Sequence, residues 1–351
     1  MTLKPLVAAC AAFVALASQA ETQLTVVNFG GANGNAQKIA YFAPYEKATG
    51  NKIVGVEYNG EQAKIKAMVE AKKVNWDVVE VESPDVARGC DEGLFEKLDY
   101  SKIGNKSDFM PVAVHECGIG VFVWSTVMAY NADKLKTAPV TWADFWDVKK
   151  FPGKRAMRKG ARYNMEFALM ADGVAVGDVY KVLATKDGAD RAFKKMTELK
   201  PNIQWWEAGA QPPQLLADGE VVMATAYNGR MFSAEVADGK PFKTVWDGQV
   251  YEYDLFVVPK GAPNKDQAIE FVKFATSTQA LADQAKWIAY GPARKSSAAL
   301  VGLFNDGKTE MAPYMPTSPE NMTNALASSY EFWVDHDAEL NDRFNAWLAA
   351  N

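Results

Sequence analysis

Acidic residues at alternate positions are the first place in this chain where chemistry could be done. Glu80 and Glu82 stand two apart in the run 76–82, so in a strand they share a face. A carboxylate-based hydrolase would set such a pair across a sugar. A further acid, Asp254, ends the run YEYD at 251–254. The segment 157–162 carries three cations, Arg158, Lys159 and Arg162, and an arginine can grip a carboxylate with two parallel N–H bonds. Adjacent tryptophans, Trp205 and Trp206, precede a loop with Glu207 and Gln211. Strand alternation sends one ring to the core, and Trp206 is read as the one facing a cleft, with Gln211 able to hydrogen-bond a ligand. The only histidines are His115 and His336, far apart, which speaks against a histidine-based metal site or triad. The chain has no nucleophile elbow, phosphate loop, zinc spacing or dinucleotide fingerprint; GGANG at 30–34 reads as a turn. The expectation is binding without turnover: no catalytic residue, no metal and no cofactor.

The 351 residues carry 38 Lys+Arg against 43 Asp+Glu, a net charge of −5, so there is no basic footprint for nucleic acid and no polybasic patch for an anionic membrane. Hydrophobic residues at 48% place the chain among ordinary globular proteins, long enough for two domains. Residues 1–20 read as a secretory signal peptide: Lys4, then an apolar run too short to span a bilayer, then a small-x-small cleavage site ending at Ala20. The alternatives are a core helix or a lipid-acceptor Cys10. Cleavage leaves Cys90 and Cys117, and in an oxidising space these are expected to form a disulfide rather than two buried thiols.

Strand patterns at 22–27, 52–57 and 76–81 alternate with helical ones at 36–49 and 61–72, and a short helix starts at Pro84. This is the pattern of an α/β domain with a parallel sheet covered on both faces, whose ligands sit at the carboxyl ends of the strands, here 28–29, 58–59 and 82–83. The apolar run 118–130 is too long for an ordinary strand and suits a crossing between domains. A second α/β block follows, with strands at 203–206, 221–227 and 255–259 and helices between and after them.

This layout resembles the periplasmic solute-binding proteins of ABC importers, and within them the spermidine/putrescine-binding branch. The matching pieces, in order, are VNF at 27–29, WDVV at 76–79, Trp124, TWADFW at 141–146, YNG at 227–229, Asp254 and IAYGP at 288–292. The resemblance implies an α/β fold of two lobes joined by two crossover strands, closing on a solute held between them. It implies lobes made of residues 21–127 with 255–298, and of 128–254 with 299–351. It also implies a monomer in the periplasm, a membrane permease as partner, and a polyamine ligand.

By the same resemblance Asp254 matches the acid that holds an amino group, and Glu82 falls where a second ammonium could be met. Phe29, Trp124, Tyr227 and Tyr290 fall on positions of an aromatic box, which suits methylenes and cation–π contact. The chain departs from the pattern at 157–162, where polyamine binders are acidic. Arg158 or Arg162 in the cleft would instead complement a solute with one ammonium and one carboxylate, such as 4-aminobutyrate or another amino acid.

Overall fold

Two long strands carry the sheet. The computed structural model describes residues 21–350, so the leader reading and Cys10 lie outside the described residues. In chain order the strands are β1 Gln23–Asn28, β2 Lys52–Glu57, β3 Val78–Glu82, β4 Val114–His115, β5 Gly118–Asn131, β6 Arg155–Arg158, β7 Ile203–Trp206, β8 Met223–Tyr227, β9 Phe242–Val257, β10 Gly291–Pro292 and β11 Leu326–Ala327. The main path runs β2-β1-β3-β9-β5-β8-β6-β7, with β4 and β10 on β5 and β11 on β9.

The outer groups are parallel, as their βαβ spacing requires: β1 with β2 and β3, and β6 with β7 and β8. The centre is not. β9 runs antiparallel to β3 and β5, and β5 antiparallel to β8, so the expected all-parallel sheet is corrected to a mixed one. The reason lies in the crossovers. A strand that serves both lobes enters one of them against the direction of that lobe's own strands. β5 and β9 pair from Gly118 with Val257 to Asn131 with Phe242, and the ladder breaks between Thr126 and Met128, where Val250 gives way to Val245. Such irregularities bend a strand pair and increase its local twist. One continuous ladder thereby joins two lobes, and the 14 residues of β5 are almost wholly buried because both faces are covered.

Helices start directly at strand ends and turn those ends toward the cleft: α1 Gly31–Gln37 after β1, α2 Ser83–Asp91 after β3, α3 Asn164–Ala171 after β6, and α4 Asn228–Phe232 after β8. The long α5, Tyr330–Ala349, closes the chain. Trp333 Nε1 donates to buried Glu166 Oε1 on α3 at 2.9 Å, and Asn341 Oδ1 accepts the Ala161 amide at 3.0 Å. These contacts bring Asp337 and Asn341 to the mouth of the cleft. Among the described residues no helix is long and apolar enough to cross a membrane.

Cys90, on α2, and Cys117, just before β5, form the expected disulfide, with Cα atoms 5.7 Å apart and a sequence separation of 27. On the chain-entropy account a loop of this length contributes about 3–4 kcal/mol. Replacing both cysteines by serine is expected to lower the melting temperature by roughly 5–10 °C, with unchanged far-ultraviolet circular dichroism. A double variant melting with the parent would contradict this staple.

Candidate functional site

At the carboxyl end of β3, two carboxyl groups are packed together with no cation between them. Glu80 and Asp254 are fully buried and within hydrogen-bonding reach of each other. Burial pushes Asp254 well above the usual carboxylate range, and the charge of Glu80 adds to the effect. Burial also raises Glu80, against the hydrogen bonds it accepts. The pair titrates as a unit.

The surroundings fix both groups. Asn33 Nδ2 donates to Glu80 Oε1 at 2.8 Å, and Gln37 Nε2 donates to Glu80 Oε2. Gln37 is itself held by Asn28 Nδ2 at 3.0 Å. Trp124 Nε1 donates to Asp254 Oδ1 at 2.6 Å. Register explains why these groups meet. Asp254 lies opposite Glu82 on β3 and opposite Phe122 on β5, while Glu80 is one alternation back along β3.

Phe29, Asn33, Glu80, Glu82, Trp124, Tyr227, Arg230, Asp254 and Tyr290 line a cavity of about 20 Å³ around this pair. A single water needs ~10–15 Å³ on this measure, so the space suits one small group such as an ammonium. Its walls are locked by their neighbours. Trp124 meets Tyr227 edge-on at 4.9 Å between centroids, and Tyr290 stacks on Phe122 at 4.6 Å. A Cβ at residue 229 would stand 2.4 Å from the Tyr290 ring, so glycine there sets the position of that wall.

Arg230 closes the opposite side, and the sequence reading missed it. Its Nη1 donates to Gly30 O at 2.8 Å and its Nη2 to Phe29 O at 3.0 Å, joining the β8 end to the β1 end across the cleft. The third donor, Nε, is buried with no partner among the described residues. Gly31, at φ 55°, makes room for this clamp, since a Cβ there would stand 2.5 Å from Arg230 Nη1. The available signal was position: Arg230 follows YNG at a strand's carboxyl end. Tyr163 was missed as well. Its ring meets Trp124 edge-on, its hydroxyl donates to Glu252 Oε2 at 2.9 Å, and its backbone holds φ 70°, a strained value of the kind that gathers at ligand sites.

A second cavity, of about 290 Å³, adjoins the first through Glu82. It contains Arg158 and Arg162, together with Arg88, Asp85, Asp337 and Asn341. Glu82 heads α2 but makes no cap hydrogen bond. Arg162 Nη1 lies 2.5 Å from Glu82 Oε2, and Arg158 Nη1 lies 3.7 Å from Glu82 Oε1. Glu82 is thus already matched by guanidinium charge, which corrects its reading as a second ammonium site.

Eight of the ten sequence-derived ligand residues, Phe29, Glu82, Trp124, Arg158, Arg162, Tyr227, Asp254 and Tyr290, line these two cavities. Trp206 and Gln211 do not. Trp206 is buried in a cluster with Ala156, Leu216 and Met231, and supports Tyr227 edge-on at 5.3 Å. Neither tryptophan lines the cleft: Trp205, on the other face of β7, packs onto Phe344 and Trp347. Gln211 turns its Oε1 to the amides of Glu207 and Ala208 at 2.7 and 2.8 Å, tying its own loop.

Two lobes on a shared two-strand hinge, with a charged and aromatic site buried between them, define a protein that closes on a small solute. The chain belongs to the bacterial extracellular solute-binding protein family, whose match covers residues 40–317. It is the solute-binding component of an ABC importer. It is 53% identical over 336 residues, 95% of this chain and 94% of the relative, to the gamma-aminobutyric acid-binding protein of Pseudomonas aeruginosa. A solved GABA receptor is similar at 36% identity and a TM-score of 0.81, covering 94% of this chain and 98% of that one. The spermidine/putrescine-binding periplasmic protein of Escherichia coli K12 is only 24% identical over 256 residues, 70% of this chain and 71% of the relative. The polyamine branch expected from the motifs is therefore corrected to the broader family, with the amino-acid alternative better supported.

The buried acid pair has a consequence for stability. A carboxyl raised on folding contributes stability that is present in acid and lost as the pH climbs from its unfolded value toward its folded one. Asp254→Asn keeps an acceptor for Trp124 and removes the group that must take up a proton on folding above its unfolded pKa. It is expected to stabilise the ligand-free protein by ~0.5–2 kcal/mol at pH 7–8, with the gain fading near pH 4, as read by thermal unfolding across that range. A variant less stable than the parent at pH 8 would contradict the assignment.

Proposed function

We propose that this protein captures a linear ω-amino acid, 4-aminobutyrate or a close homologue, in the periplasm, and hands it as a monomer to a membrane permease. The observation that carries this reading is that opposite charges border one aromatic cavity: an acid pair, Glu80 with Asp254, and Arg230, whose Nε has no partner among the described residues; the cavity as it stands admits only the ammonium, and the lobes part to take in the methylenes and the carboxylate. An ammonium entering the cavity displaces the shared proton and gives the pair the cation it lacks. Trp124, Tyr227, Phe29 and Tyr290 cover the methylenes and exclude water, which strengthens both charged contacts. A guanidinium whose other two donors are fixed on backbone carbonyls meets a carboxylate with little loss of freedom.

The name of the 53% identical relative supports the same solute class. In this reading the lobes are residues 21–127 with 255–298 and 128–254 with 299–351, and Arg230 helps to close them. The chain makes no covalent change to its ligand.

Calorimetry on purified protein tests the reading. The wild type is expected to bind 4-aminobutyrate more tightly than putrescine. Removing one partner of a buried charged pair costs about 2–5 kcal/mol, so Asp254→Ala should weaken 4-aminobutyrate binding by roughly 30-fold to several thousand-fold. Arg230→Gln should weaken 4-aminobutyrate while sparing whatever diamine binding exists. Wild-type affinity in Asp254→Ala would sink the proposal.

A further inference from the structure

The larger cavity has no part in holding a four-carbon ligand between Asp254 and Arg230, yet it opens from the same place. Glu82 lines both cavities, facing Asp254 across the β3–β9 ladder on one side and Arg158 and Arg162 on the other. The two guanidiniums are not equivalent. Arg162 is engaged at 2.5 Å with Glu82 and at 3.6 Å with Asp337. Arg158 has one acid near it, Glu82 at 3.7 Å, which Arg162 already holds more closely. Among the described residues its guanidinium makes no hydrogen bond closer than that; its ring neighbours are Tyr163 and Tyr227, at 5.8 and 6.0 Å. Arg88, also in this cavity, has acids at 3.6 and 4.0 Å, Asp337 and Asp85; Arg158 is the arginine with donors to spare that also lies against Tyr227, a wall of the small cavity. Gln62, Asn59 and Asn341 add neutral polar groups to the wall, and the volume of about 290 Å³ exceeds what one carboxylate needs.

We infer that the cavity around Arg158 is a second anion subsite, which receives the carboxylate of linear ω-amino acids longer than 4-aminobutyrate. The inference rests on the reading of Asp254 and Glu80 as the ammonium site. The cleft then has one address for the ammonium and two for the carboxylate. Arg230, in the same cavity as the acid pair, serves the short chain. Arg158, beyond Glu82, serves the long one. The methylenes of the longer solute pass Glu82 along the Tyr227 ring, which lies against Arg158 and lines the small cavity. The solute class is a set of chain lengths rather than a single compound.

A chain-length series separates the two addresses. Calorimetric affinities for 4-aminobutyrate, 5-aminovalerate and 6-aminohexanoate are measured on the full mature protein as wild type, Arg158→Gln and Arg230→Gln, with circular dichroism to verify folding. Arg158→Lys keeps the charge without the fork and serves as the second variant should the glutamine variant not fold. In the wild type, 6-aminohexanoate is expected to bind. Arg158→Gln, or Arg158→Lys more mildly, should lower its affinity at least tenfold more than that of 4-aminobutyrate, and Arg230→Gln should reverse this order. The subsite is overturned if 6-aminohexanoate does not bind while 4-aminobutyrate does, or if the Arg158 variants weaken all three solutes by the same factor. Loss of the ammonium reading gives a different result, with no solute of the series responding to Asp254→Ala.

Discussion

Two carboxyl groups buried side by side are an expensive thing for a protein to keep, and the rest of this structure is organised around keeping them. Glu80 is fully enclosed and Asp254 nearly so. Burial alone would drive each toward its neutral form, and each makes ionisation of the other harder. What prevents a collapsed, neutral and useless site is the set of donors aimed at them. Gln37 on α1 is held by Asn28 and Asn33 by Gln284, and Trp124 is fixed by two edge-on rings. The pair is held in a geometry that a cation completes; Arg230 lies in the same cavity, but its guanidinium is engaged with the carbonyls of Phe29 and Gly30. The site is pre-organised at the cost of local stability.

The remaining charge of the cleft is balanced, and the balance lies across the lobes. Glu82, at the end of β3, faces Arg158 and Arg162 from the β6–α3 segment. Arg88 on α2 reaches Asp337 on α5 at 3.6 Å, and Arg162 reaches the same carboxylate. These contacts join elements carried by opposite ends of the sheet, so hinge opening breaks them. Partly buried pairs of this kind add less net energy than they cost when a single partner is lost. Their effect is to set which faces meet and in what register. Arg230, bonded to the carbonyls of Phe29 and Gly30, does the same with a guanidinium that still has a donor to offer.

Much of this was legible in the residue order, and the failures have physical causes. The apolar length of β5 announced a crossing, and the acid before the second crossing, Asp254, lies in the small cavity. Sheet direction was not legible: period-2 and period-3.6 patterns give element type, while the sense of β9 depends on which lobe it returns from. Glu80 was seen only as a partner for Glu82, because sharing a face does not reveal that the neighbouring strand places Asp254 beside one and two arginines beside the other. Trp206 failed because alternation tells which side chains share a face, and both faces of β7 are covered by protein, one by the cluster around Leu216 and Met231, the other by Phe344 and Trp347 of α5. Arg230 carried no pattern of its own. Nor does a cation's position in the sequence show which way it turns: Arg155, just before the basic segment, is buried and bonds the carbonyls of Phe145, Gly153 and Phe151, whereas Arg158 turns to the cleft.

The central claim is that the ligand's ammonium replaces a proton held between Glu80 and Asp254. Titration calorimetry of 4-aminobutyrate at a single neutral pH, repeated in buffers of widely different ionisation enthalpy, tests it directly. The observed binding enthalpy should change linearly with buffer ionisation enthalpy, with the slope of a proton released to the buffer, and that slope should vanish in Asp254→Asn. An enthalpy that is the same in every buffer would mean that both carboxyls are already ionised before the ligand arrives, and would contradict the account.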